Sequence, residues 1–106
     1  MTEEAGKAAA PTLEAVYGPR GEAILRQLAG EWFLVPVRAT PADFRAIFTV
    51  NEIGALVWGE LDGRRSLGEI AGTVVSRFDV APEAAAEDLL SFVGQLEGAG
   101  LAERRA

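Results

Sequence analysis

The stretch Phe48–Gly63, FTVNEIGALVWGELDG, contains the point at which the hydrophobic period changes, and that change decides the fold. Up to Val50 the apolar residues follow one another as they do in strands. From Ile53 they recur at helical spacing, as Ile53, Leu56, Val57 and Leu61, with Trp58 beside the stripe. Asn51 stands where a helix needs a side-chain acceptor for its free N–H groups. Glu52 follows in the first turn, where a carboxylate complements the helix dipole. Gly63 supplies the stop after Leu61-Asp62. Trp58 reads either as a core anchor or as an exposed partner contact.

Towards the N-terminus the pattern predicts three strands, Ala23–Ala29, Glu31–Arg38 and Arg45–Val50. Ala29-Gly30 suits a tight hairpin between the first two, and the polar, proline-containing stretch Ala39–Asp43 precedes the third. The second strand is apolar on both sides, with Phe33, Val35 and Val37 pointing one way and Trp32 and Leu34 the other. In the third, Ala46, Phe48 and Val50 share a face and Ile47 takes the other. Pro36 has no N–H to give a ladder and marks an edge or a bulge. A sheet covered on one side shows polar residues on its open side, and this one does not. Its second face is therefore either covered by the N-terminal segment, through Leu13, Val16 or Tyr17, or is a binding or dimerisation surface. Thr12–Gly21 is ambiguous. Leu13, Val16 and Tyr17 fall at helical spacing, but Gly18-Pro19 ends any helix quickly. Residues 1–12 show no apolar period and read as a disordered tail, leaving 13–106 as one folded domain.

Towards the C-terminus, Ser66 and Glu69 form a capping box for a second helix, Ser66–Phe78, whose inward stripe is Leu67, Ile70, Ala71, Val74 and Phe78. Pro82 fits the first position of a third helix running to about Glu97, with Gly98 or Gly100 as the stop. Leu101–Glu103 suits a short further strand. The fold class is α+β, winged helix-turn-helix-like: a three-stranded antiparallel sheet followed by three helices.

Composition narrows the function. The 106 residues include no Cys and no His, and no phosphate-cradling or calcium loop occurs. The expectation is a protein that is not an enzyme, with no catalytic residue, no metal and no cofactor. The net charge is −6, and no Lys or Arg lies between Arg77 and Arg104, so the third helix would repel phosphate. Nucleic acid and anionic membranes are not expected partners. No apolar run approaches the roughly 20 residues that span a bilayer, and Met1–Pro11 lacks the pattern of a secretory signal; the expected location is the cytoplasm.

What remains is binding. An open strand edge offers unpaired N–H and C=O groups to an extended peptide, which makes Arg45, Ala46, Ile47, Phe48, Thr49 and Val50 candidate contacts. On the third helix, Leu89, Phe92, Val93 and Leu96 form the core stripe. Leu90 lies about 100° from Leu89, near Ala86 and Val93. Ala86, Leu90 and Val93 read as a groove wall beside the sheet edge, or Leu90 simply widens the core face.

LAGEWFLVPV (28–37), FTVNEIGALVWGELDG (48–63) and RSLGEIAGTVVSRFDVAPEAAAEDLLSFVGQLEGAGL (65–101) together resemble the PqqD family, named for pyrroloquinoline quinone (PQQ) biosynthesis protein D and also called RiPP recognition elements. The most specific match is N-E-x-G-A-x-x-W at Asn51, Glu52, Gly54, Ala55 and Trp58. Leu61-Asp62-Gly63 follows, and Asp88, Phe92, Gly100 and Leu101 complete the pattern. Val50 replaces the usual Leu before Asn, and Ala81 replaces an acidic helix cap. The resemblance implies a winged helix that binds the leader of a ribosomally made precursor peptide as a strand beside the third strand and against the third helix. It also implies presentation of that peptide to a modifying enzyme, often a radical S-adenosylmethionine (radical SAM) protein. The expected form is a monomer or weak dimer. The competing readings are a winged-helix DNA-binding regulator and a structural dimerisation subunit.

Overall fold

Six-residue strands on either side of Ala29-Gly30 pair antiparallel in a computed structural model of the chain, which describes residues 10–21, 23–37 and 48–106. They are β2 (Ala23–Leu28) and β3 (Glu31–Pro36), preceded by β1 (Tyr17–Pro19) and followed by β4 (Phe48–Val50). The turn holds Ala29 at φ 54° and Gly30 at φ 82°. Two consecutive positive φ values give the type I′ geometry whose twist matches that of the strands. Ala29, expected at the end of the first strand, is a turn residue for this reason. β3 stops at Pro36, short of the expected Arg38, where the missing N–H ends the ladder. β4 pairs antiparallel with β3, Val50 opposite Trp32, so the sheet order is β2-β3-β4. Arg45, Ala46 and Ile47, expected in the third strand, lie outside the described residues.

Three helices follow: α1 (Glu52–Glu60), α2 (Leu67–Arg77) and α3 (Pro82–Gly98). Each begins as the sequence predicts. Asn51 Oδ1 accepts the Gly54 N–H at 2.7 Å. Ser66 and Glu69 complete a reciprocal capping box. Pro82 opens α3, and Ala81 before it contributes no side-chain cap. The α3 stop places Gly100 at φ 79°, with its N–H on the Glu97 carbonyl and that of Leu101 on Leu96. This is the glycine-terminated pattern that satisfies the last carbonyls of a helix. The class and order, a three-stranded antiparallel sheet and then three helices, are those expected.

The N-terminal segment differs from its helical spacing. Tyr17–Pro19 is a strand, pairing antiparallel with β5 (Ala102–Arg104) as a separate two-stranded sheet. Gly18 and Pro19 make a helix impossible here, and the C-terminal tail supplies the ladder partner. Just before it, the carbonyls of Leu13 and Ala15 accept the N–H groups of Gly68 and Leu67 in the first turn of α2. The segment thus supplies acceptors to helix donors that have no intrahelical partner. Tyr17 is fully buried, and its hydroxyl donates to Glu97 Oε1 at 3.2 Å.

The two faces of the main sheet differ accordingly. Leu34 and Val50 are buried on the inner face, with Ala23, Leu25 and Trp32 packed against the same core. Ile24 and Leu28 on the outer face are 44% and 70% exposed, beside half-buried Phe33 and Val35. Leu13, Val16 and Tyr17 do not cover this face, because their segment lies along α2 and β5.

Candidate functional site

β4 has β3 on one side, and the cleft lies on the other. Val50 sits beside Asn51, and the chain then turns at once into α1. Gly54 makes that corner possible: a Cβ built there would stand 3.2 Å from Val50 Cβ and 3.5 Å from Phe92 Cζ. The absent side chain lets β4, α1 and α3 approach one another around a cleft of about 250 Å³. Thr49 and Val50 form one wall, and Ile53, Gly54 and Val57 of α1 another. Val74 and Val80 close one side, while Ala85, Asp88, Leu89, Phe92 and Gln95 of α3 face β4. An apolar cavity of roughly 150 Å³ takes one benzene ring, and small-molecule sites usually begin near 300 Å³. The dimensions suit a large side chain on an extended segment better than a cofactor.

Of the residues anticipated from sequence, Thr49 and Val50 line this cleft. Phe48 belongs to β4 as register partner of Leu34. Arg45, Ala46 and Ile47 fall outside the described residues. Ala86, Leu90 and Val93 are placed elsewhere. Val93 is 0% exposed and presents no surface, and Ala86 and Leu90 are absent from the cleft wall. The reason is geometric. At about 100° per residue, Asp88, Phe92 and Gln95 fall on one side of Leu89, and Ala86 and Leu90 on the other. A core stripe has two flanks, and its period does not say which one faces the sheet. In the fold the Leu90 side turns towards the N-terminal segment. Gly94, one turn beyond Leu90, lies beside Pro11, and Glu97 receives the Tyr17 hydroxyl. Asp88 and Phe92 carried a signal in the sequence, as the acid and aromatic of the family-like pattern.

Asp88 is exposed and, among the described residues, is the only charged one lining the cleft. Among the described residues no Lys or Arg forms an ion pair with it. On the far side of β4's end, Thr49, Val50 and Asn51 border a shallower depression that includes Glu31 and Glu52 and, among the described residues, no basic one. Elsewhere, Asp62 Oδ1 accepts the N–H groups of Arg64 and Arg65, and those two bonds, Arg65 first, hold its carboxyl below the usual range. The Arg65 side chain also pairs with Glu60. These arginines organise the turn between α1 and α2. Trp58 is half-buried and packs against the core, as a core anchor does, and it also borders an open depression with Ile24 and Val37. Among the described residues no group of three or more Asp and Glu side chains is placed to hold a metal ion, and no helix is long and apolar enough to cross a membrane.

Comparison with known families identifies the chain's family. The family model described as Coenzyme PQQ synthesis protein D (PqqD) matches residues 31–102, from the first residue of β3 to the first of β5. No curated protein and no solved structure matches the chain. The matched region spans well over half of the sequence and contains β3, β4 and all three helices that build the cleft. On that match, the chain belongs to the PqqD family.

Proposed function

We propose that the chain is a non-catalytic peptide chaperone: it holds the leader of a ribosomally made precursor peptide as an added strand on β4 and presents it to a modifying enzyme, a radical SAM protein. Family membership ties the chain to PQQ-type biosynthesis. The observation that supports the peptide reading is the cleft between the side of β4 that pairs with no described strand and the Asp88–Phe92–Gln95 flank of α3. An extended peptide there would complete the strand's hydrogen bonds and place every second side chain towards the helix. Calorimetric titration with the leader of a PQQ-type precursor peptide tests the reading. The expected result is a 1:1 complex near micromolar affinity, about −8 kcal/mol. Phe92→Ala should weaken it at least severalfold, and no heat with the wild-type chain would end the proposal.

The exposed Ile24 and Leu28 favour a second reading, self-association through the outer face of the sheet. Light scattering over a range of concentrations separates the two. A dimer lost on Leu28→Lys supports the second, and a monomer throughout excludes it.

A further inference from the structure

The cleft combines an apolar interior with one carboxylate at its rim. Ile53, Val57, Val74, Val80, Leu89 and Phe92 supply the interior, and Asp88 stands one helical turn before Phe92. Among the described residues, none that lines this cleft or the neighbouring depression with Glu31 and Glu52 is basic. The chain as a whole carries −6. A cation placed here meets the Asp88 carboxylate and can lie near the Phe92 ring. An anion meets repulsion from that carboxylate.

Spacing adds a second constraint. Asp88 and Phe92 are four residues apart, a rise of about 6 Å along α3. Alternate side chains of an extended peptide are about 6.6 Å apart and point the same way. A peptide that runs along α3 and seats one side chain in the apolar interior brings the side chain two positions away to the level of Asp88.

Building on the strand-addition reading above, we propose that the cleft selects an extended peptide with a large apolar residue and, two positions from it, a Lys or Arg. Asp88 is the specificity-determining residue for that cation. Main-chain pairing along β4 is indifferent to sequence, so selectivity falls to these two side-chain positions.

The probe is a displayed library of random ten-residue peptides, panned against the full chain and against Asp88→Lys. Asp88 is exposed, so neither this variant nor Asp88→Asn threatens the fold. The wild-type chain should enrich Lys or Arg two positions from Leu, Ile, Phe or Tyr, and Asp88→Lys should shift that position to Asp or Glu. For one selected peptide, Asp88→Asn should lower affinity about fivefold, equivalent to about 1 kcal/mol, and the loss should shrink at high salt. Enriched apolar residues with no charge preference, or a preference unchanged in Asp88→Lys, overturns the inference alone. Selected peptides that leave the Thr49 and Val50 amide resonances unmoved overturn strand addition as well.

Discussion

Ala29 occupies the left-handed region at φ 54°, where a Cβ costs about 1–2 kcal/mol. The type I′ turn requires this of both central residues, and Gly30 alone meets it without strain. Ala29→Asn creates the favoured Asn-Gly pair and should stabilise the chain by about 0.5–1 kcal/mol in chemical denaturation. No gain would mean that the hairpin adopts another turn in solution. Tyr17 is the second informative residue. Burial raises its pKa first, and the charge and hydrogen bond of Glu97 raise it further. The folded value therefore exceeds the unfolded one near 10, so the protonated hydroxyl favours the folded state. That contribution is complete below about pH 10 and is lost as pH rises through the higher folded value. The chain has a single tyrosine, so its ultraviolet titration reads this residue alone. Ionisation should begin above the range of a free phenol, and Tyr17→Phe should cost about 1 kcal/mol at neutral pH while removing that alkaline dependence. An ordinary titration curve would place Tyr17 in solvent.

At the scale of elements, the caps and stops were legible because each is written in a few adjacent residues. Asn51, the Ser66–Glu69 box and Gly100 satisfy backbone groups within one turn, and Pro82 has no N–H to leave unpaired. β1 was not legible. Three residues containing Gly and Pro have no strand period, and their partner lies more than 80 residues away. The wall of the cleft was half legible. Hydrophobic period located Leu89 at the centre of α3, but only the packing of β4 on one flank distinguishes Phe92 from Leu90. The sheet offers a direct check of its two faces. Leu34→Ala removes a side chain with 0% exposure and should cost about 2–5 kcal/mol. Leu28→Ala, on the outer face, should stay within about 0.5 kcal/mol. Equal losses in thermal or chemical denaturation would contradict the assignment of inner and outer faces.

Across the whole molecule, the N-terminal segment pairs with β5 and meets the first turn of α2, while β4 lies beside α3. This division explains why Leu13, Val16 and Tyr17 do not cover the outer sheet face: they are committed to α2 and β5. It also leaves the cleft accessible without rearrangement of the described elements. The net charge of −6 gives the account a kinetic signature, since association with a cationic peptide should slow as ionic strength rises. The central claim is that a leader peptide adds to β4 against the Asp88 flank of α3. Backbone NMR of the labelled chain, titrated with the precursor peptide, tests it most directly. The account predicts that Thr49, Val50, Asp88, Phe92 and Gln95 shift together, that β4 amides gain exchange protection, and that Leu90 and Leu28 stay in place. Shifts centred on Ala86 and Leu90, or on the outer face of β2, with Thr49 and Val50 unmoved, would contradict it.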